Sequence, residues 1–379
     1  MFSLTPEQLA IQKLAREFTE KEIIPVAAEY DEQELFPAPV IEKLWKSKLM
    51  NLVVPEELGG SSLGMMATCL VTEELGRGCA GITTVASANM LALFPILVAG
   101  SEEQKEKFIP PICTTGKLAA FCLTEPNAGS DAASVATYAQ PVDGGYILNG
   151  TKCFITNGDT AELFTVFATA DKSRGVRGLT AFIVPKGEGV IVAKKEKKMG
   201  IRASSTAVIN FDNVFVPKEN ILEAEGRGFK VAMQTLDASR PMIGALAVGV
   251  ARAAYETALQ YAKERIQFGQ RIANFQMIQA MLAEMATKIE AARLMVWRAA
   301  NSVEENAPTL SRDSAMSKLF AGDMCIEVTT DAVQILGGYG YMRDFPVEKY
   351  MRDAKIMQIY EGTNQIQRMV IANNILRGK

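Results

Sequence analysis

Two short segments combine residue types that could do chemistry. YEGTNQIQR, residues 360–368, sets one carboxylate, Glu361, ahead of Gly362 and Thr363 where a helical pattern begins. Glu361 is then either a capping carboxylate at a helix N-terminus or a base held beside backbone N–H donors that polarise a substrate carbonyl. TEPNAGSDAAS, residues 124–134, runs from a strand into Pro126, Gly129 and several short polar donors. That is either an ordinary capped turn or a loop that wraps a polar cofactor edge with backbone N–H groups. The chain of 379 residues contains no histidine. Triad hydrolases need an imidazole base and zinc hydrolases need imidazole ligands, so neither chemistry is available. GGYG, residues 337–340, has neither the third glycine nor the preceding strand of a dinucleotide fingerprint, and GTK at Gly150 has no upstream P-loop glycine.

The balance of 40 Lys+Arg against 43 Asp+Glu, with no basic block, is not a nucleic-acid footprint. The charge run KKEKK, residues 194–198, reads as a solvated strand end. Six cysteines at irregular spacings, with no CxxC, predict reduced thiols in a cytoplasmic protein and no metal site. The N-terminal stretch has no apolar signal core, and no apolar run approaches the roughly 18 residues of a membrane span, so the chain is expected to be neither exported nor integral to a membrane.

These residues must be positioned by three blocks of different periodicity, an α+β chain by class. Up to residue 116 the spacing is helical: Ser3 or Thr5 caps a helix opening at Pro6, and further helices are expected at 39–47, 65–77, 81–99 and 101–109. From 117 to 225 the period falls to about two, in segments such as LAAFCLTE, YILNG, KCFITNG, LFTVFATA, LTAFIVP, GVIVAKK and AVINFDNVFVP. With no helix between them these predict an antiparallel barrel or sandwich, since parallel strands need crossovers. From 226 to 379 helical spacing returns, with long segments at 228–265, 275–304 and 311–336 that predict an antiparallel, four-helix-bundle-like domain.

With ERIQFGQ at 264–270, LGGYGYM at 336–342, KMGIRASST at 198–206 and CFITNG at 153–158, in this order, the whole chain resembles the acyl-CoA dehydrogenase family. The resemblance implies an FAD-dependent oxidoreductase that converts a neutral acyl-CoA thioester to the 2-enoyl-CoA. In that reaction Glu361 removes the α-proton while a hydride leaves Cβ for flavin N5, and the electrons pass to an electron-transfer flavoprotein. It also implies a homotetramer built as a dimer of dimers. An enoyl-CoA reductase, an acyl-CoA oxidase and a silent acyl-CoA-binding scaffold are the alternatives.

By the same resemblance Phe121, Leu123, Thr124, Gly129 and Ser130 contact the flavin from one strand and loop, Ser130 also meeting the pantetheine arm, and Phe154, Ile155 and Thr156 contact it from a second strand. Arg265, Phe268, Gln276, Gln334, Gly337 and Gly338 reach the FAD of a neighbouring subunit, and Thr363 and Gln365 add further FAD contacts. Asp237, Arg240, Tyr360 and Gly362 belong to the substrate side, and no metal is implied. The chain departs from the family pattern in places. Phe154 stands where many members carry tryptophan, and Asn373 where some carry an arginine for the CoA adenine. PMIGALAVG, after Arg240, has no carboxylate to replace Glu361 as base, and ASANMLALFPI, residues 86–96, has no charge for a dicarboxylyl substrate. Acyl length is set by packing around Tyr360, Leu91, Leu93 and the helix after Asp237.

Overall fold

The structure, a computed structural model, describes residues 3–378. Helices α1 (Pro6–Phe18), α2 (Ile24–Glu32), α3 (Ala38–Lys46), α4 (Gly64–Gly78), α5 (Ala80–Ala99), α6 (Glu102–Phe108) and α7 (Pro110–Cys113) form the N-terminal part. Thr5, not Ser3, caps α1: its hydroxyl accepts from Gln8 N–H, and the Gln8 side chain accepts from Thr5 N–H, ahead of Pro6 at the first helical position. The C-terminal part is α8 (Gly228–Glu264), α9 (Gln276–Glu304), α10 (Leu310–Leu336), α11 (Gly338–Tyr341), α12 (Val347–Ala354) and α13 (Asn364–Leu376).

Helix α8 carries Pro241 in its interior without ending there, and packs on α4, α5, α9 and α10. Its crossing with α4 is close because Gly249 faces α4: a Cβ there would stand 2.2 Å from the Glu73 carbonyl oxygen. Beside this crossing the buried Glu73 and Glu74 of α4 meet Arg252 of α8, Arg16 of α1 and Arg293 of α9. Burial alone would push the Glu74 carboxyl up, but the bonds and charges of Arg252 and Arg16 outweigh it and hold it below the usual range. One expectation is corrected here. Helices α5 and α8 are each long and apolar enough to cross a membrane by length and composition, although most of each apolar window is buried inside the fold. Thr83, Thr84, Ser87 and Asn89 break the apolar run of α5 when the sequence is read for continuity, yet none of them is charged.

Between the two helical parts lie β1 (Leu118–Cys122), β2 (Tyr138–Val142), β3 (Gly145–Thr156), β4 (Ala161–Thr169), β5 (Leu179–Pro185), β6 (Val190–Lys195), β7 (Thr206–Pro217) and β8 (Ile221–Leu222). They make one sheet in the order β6-β7-β3-β2-β4-β5-β8, with β1 added beside β4. The expected all-antiparallel arrangement is wrong at β4, because β1 runs parallel to it from Leu118 opposite Ala161 to Cys122 opposite Val166, and β2 meets it in parallel at Tyr138 opposite Thr169. No crossover helix is needed there: the chain leaves β1 through the 124–134 loop and reverses twice through β2 and β3 before β4. YILNG and KCFITNG, read as two strands, are one strand, β3, with register shifts between Leu148 and Gly150 and between Lys152 and Ile155. Lys194 and Lys195 end β6 on the surface, as a solvated strand end should.

The apolar interior has two characters. Ala120, Leu148, Phe164, Phe182, Ile209, Phe211 and Val216 belong to a core drawn wholly from the β part. The largest core instead interleaves distant segments, with Met66 and Leu70 of α4 and Leu93 of α5 joining Leu246 and Val250 of α8, Met285 of α9 and Val328 of α10.

Candidate active site

Glu361 sits in the short turn between α12 and α13 with φ +54°, followed by Gly362 at φ +88°. A left-handed conformation at a non-glycine residue costs roughly 1–2 kcal/mol and persists only where its surroundings enforce it. The enforcement is visible. The Gln367 side-chain amide donates to the carbonyl oxygens of Glu361 (3.1 Å) and Gly362 (3.0 Å), and the buried Lys318 of α10 donates to Gly362 O (2.8 Å) and Asn364 Oδ1 (3.0 Å). Thr363 caps α13 by accepting from Ile366 N–H. Both carbonyls of the turn are therefore tied to the protein interior, while the N–H of Glu361 has no acceptor among the described residues. Gly362→Ala is expected to lower both thermal stability and turnover, the latter about tenfold or more: its Cβ would stand 2.6 Å from Gln367 Nε2 in a backbone that disfavours any side chain. A melting curve and a single-turnover rate on the variant check this.

The Glu361 carboxylate is half-buried and accepts from Ser239 Oγ of α8 at 2.5 Å. Burial pushes its proton affinity up. The Ser239 bond and the charges of Arg240 and Lys318 pull the other way without cancelling it. A carboxylate adjusted upward beside fixed cations is suited to taking up a proton. Arg240 is 2% exposed; its Nη1 meets Asp237 Oδ1 at 2.5 Å, while its Nε is buried with no partner among the described residues. Asp237, raised by burial against the pull of Arg240, also accepts from Ser311 Oγ at 3.2 Å. Tyr360 donates to Met357 Sδ at 3.2 Å and packs on the interleaved core.

Phe121, Leu123, Thr124, Phe154, Ile155 and Thr156 come together on the sheet, where Cys153 N–H donates to Thr124 O at 2.9 Å. The loop that follows is folded over the buried Glu125, whose carboxylate accepts from Ala136 N–H (2.6 Å), Thr137 N–H (2.9 Å) and Thr137 Oγ1. Lys152 Nζ completes the set, donating to Glu125 Oε1 (2.7 Å), Leu123 O (3.0 Å) and Phe167 O (2.6 Å). At the bulge in β3 Phe154 takes φ +59° and stands 66% exposed. Ile155 and Leu123 point their side chains into the interior, so they offer only backbone to a ligand. Gly129 and Ser130 are exposed in the loop.

Arg265 and Gly338 share a cleft at the C-terminal end of α8; Gln334 and Gly337 lie at the end of α10 just before Gly338, and Gln276 opens α9 after the hairpin that carries Phe268. The guanidinium of Arg265, which caps α8, lies 5.6 Å from the centre of the Tyr339 ring over a cleft of about 420 Å3 that includes Gly338. Phe268, 94% exposed, is at the tip of a hairpin between β9 (Ile266–Gln267) and β10 (Gln270–Arg271). Arg240 and Arg265 are 25 positions apart in the chain, about 37 Å along a helix rising about 1.5 Å per residue. Gln365 is exposed on the first turn of α13.

These surfaces fit a flavin dinucleotide. Phe154 presents a flat apolar ring; Ser205 Oγ, next to the Thr206 that pairs with Thr156, is buried with no partner among the described residues; and Gly129, Gly337 and Gly338 have open space where a side chain would be. The family models of the N-terminal, middle and C-terminal domains of acyl-CoA dehydrogenase match residues 5–116, 120–214 and 226–376.

The chain belongs to the acyl-CoA dehydrogenase family.

As a member of this family it is an oxidoreductase. A probable acyl-CoA dehydrogenase of Mycobacterium tuberculosis, FadE25, is 47% identical over 378 residues, covering 100% of this chain and 97% of that protein. Butyryl-CoA dehydrogenase from Megasphaera elsdenii superposes with a TM-score of 0.97 at 45% identity over the full length of both chains. A chain in the structure described as an electron transferring flavoprotein of Acidaminococcus fermentans matches equally well, with TM-score 0.97, 47% identity and full coverage of both. For an acyl-CoA dehydrogenase, the residues that sequence reasoning missed are those holding the turn: Ser239, Lys318, Asn364 and Gln367. Ser239 stood in view two residues after Asp237 and just before Arg240; Lys318, a cation among the small residues Ser314, Ala315, Ala321 and Gly322, was the remaining signal.

Proposed function

We propose that the chain dehydrogenates short-chain acyl-CoA thioesters between Cα and Cβ, with Glu361 as the base. The observation that carries this is the Glu361 turn: a half-buried carboxylate of raised proton affinity beside its own unpartnered N–H. The α-proton of a thioester is too weak an acid for a water-exposed carboxylate. Abstraction needs the thioester oxygen held by a donor and the base partly desolvated. In this reading Glu361 N–H donates to the thioester oxygen, the carboxylate takes the α-proton, and Ser239 holds that carboxylate in line. Arg240 and Asp237 order the CoA side, and Tyr360 walls the acyl chain from water.

FAD, when bound, supplies the acceptor for the β-hydride. Phe121, Thr124, Gly129, Ser130, Phe154 and Thr156 would hold it from the sheet, with backbone from Leu123 and Ile155 and further contacts from Thr363 and Gln365. The Arg265 group lies about 37 Å along α8 from Arg240, at the other end of the helix from the Glu361 turn, which supports contact with the FAD of a second copy in a homotetramer. The chain's likeness to one solved with an electron transferring flavoprotein supports such a protein as the electron acceptor.

Short chain length is supported by the likeness to a butyryl-CoA dehydrogenase. Anaerobic titration of the flavin-loaded protein is expected to bleach the flavin with butyryl-CoA, and octanoyl-CoA is expected to react at least about tenfold more slowly. An unbleached flavin with every acyl-CoA tried rejects the dehydrogenase reading; a faster octanoyl reaction rejects the chain length.

A further inference from the structure

Lys318 is fully buried, and no step of the proposed reaction uses it. Its ammonium has two neutral acceptors, Gly362 O and Asn364 Oδ1, and among the described residues no carboxylate oxygen lies within 4.0 Å of it. A buried cation without an ion-pair partner is costly, and a neutral amide could tether a carbonyl at less cost. The charge therefore calls for an explanation that tethering alone does not supply.

The surroundings supply one. Lys318 faces Glu361 across the turn, Arg240 from α8 and Asp323 one turn further along α10. Asp323 is itself engaged by Asn364, Gln358 and Arg368. Glu361 in turn faces Ser239 and Arg240 from α8 and Lys318 from α10, and lies next to the partly buried Tyr360.

We propose, building on the reading of Glu361 as base, that Lys318 is a positioning residue that acts in two ways. It clamps the Gly362 carbonyl so that the turn aims Glu361 at the substrate, and its positive charge keeps the Glu361 carboxylate ionised at pH values where it would otherwise hold a proton. Burial, with the repulsion of Arg240, brings the Lys318 ammonium down to about 7 against the pull of Glu361 and Asp323. Lys318 and Glu361 thus each favour the charged form of the other. In a chain without histidine this adds a lysine to the groups that set pH dependence near neutrality.

The test compares Lys318→Met, of similar length and uncharged, and Lys318→Gln, uncharged but still a donor, with the wild type. Two measurements are made across pH on the flavin-loaded protein. One is the anaerobic rate of flavin reduction by butyryl-CoA. The other is the long-wavelength absorption that appears when a 3-thiaacyl-CoA, which can lose its α-proton but has no hydride to give, is bound and deprotonated. Removing the cation makes the Glu361 carboxylate harder to form, so both variants are expected to move the acidic limb of both profiles upward by about one pH unit, a loss of about tenfold in rate on that limb. Lys318→Met should also lower the plateau, because the clamp is gone. If the limbs stay in place while rate and melting temperature fall uniformly, Lys318 is only a prop and the proposal is overturned. A wild-type limb in Lys318→Gln with a shifted one in Lys318→Met overturns the role of the charge. Should Lys318→Met fail to hold flavin, the comparison of Lys318→Gln with the wild type decides the matter by the same limbs. A wild-type flavin that acyl-CoA never bleaches fails the underlying reading as well, and is told apart from these outcomes because it appears before any variant is made.

Discussion

Glu361→Gln abolishes productive flavin reduction, by roughly 10²–10⁴-fold at the least, the contribution typical of a positioned base. The amide keeps the size of the side chain and an oxygen for Ser239 Oγ, so FAD retention and CoA-ligand binding remain close to wild type. Anaerobic stopped-flow reduction by butyryl-CoA reads the first effect and equilibrium titration the second; reduction near the wild-type rate would mean that the base lies elsewhere. The same variant has a signature in stability. Burial raises the proton affinity of Glu361 above the ordinary carboxylate range, so the folded protein holds that proton more tightly than the unfolded chain. The resulting penalty on the native state develops as pH rises from the ordinary carboxylate value through the raised one, and persists above it. Glutamine does not titrate. The melting temperature of Glu361→Gln relative to wild type should therefore improve across that window as pH increases.

Lys152→Met is expected to have the largest effect on stability. Lys152 is 0% exposed and Glu125 6%, and each is the other's only ionic partner at 2.7 Å among the described residues. Burial by itself would raise the Glu125 carboxyl, but Lys152, the Thr137 hydroxyl and the Ala136 N–H outweigh it and hold it below the usual range. Taking away the cation leaves that carboxylate buried and uncompensated, at a cost of roughly 3–5 kcal/mol. It also leaves Leu123 O and Phe167 O without their donor. Denaturant melts should show the loss, and FAD should dissociate more readily because the 124–134 loop is folded around Glu125. Adding Glu125→Leu recovers only part of the loss, since the N–H groups of Ala136 and Thr137 are then orphaned. In the wild type the contribution of Glu125, being that of a depressed carboxyl, is present above its unfolded value and is lost as pH falls through the depressed one.

What could be read from the chain beforehand divides along physical lines. The helices were legible because apolar spacing and caps are local: the Thr5 capping box and the long run from Gly228 are properties of neighbouring residues. The parallel pairing of β1 with β4 was not legible, because strand partnership depends on residues some 40 positions apart, and the same alternation suits either direction. Strand β3 was split in two because Asn149 and Gly150 look like a turn, whereas the fold uses them as a bulge. At the site, Glu361 stood out as a carboxylate before Gly and Thr. Its support did not, since Ser239, Lys318 and Gln367 reach it from α8, α10 and α13, and a lysine within a long helix reveals its purpose only when its acceptors are known.

The two kinds of apolar interior also set a timetable for synthesis. The core confined to the β part is closed by residues 120–216, so it is complete once that stretch has left the ribosome. Helices α4 and α5 emerge earlier, yet their partners are on α8, which begins at Gly228. At about 5–20 residues per second the apolar faces of α4 and α5 wait many seconds for the surface that covers them, with the β part already folded in between. The nascent chain thus passes through a stage in which one core of its middle is closed while its earliest helices are not yet covered. During that interval the earliest helices are the segment most in need of a chaperone.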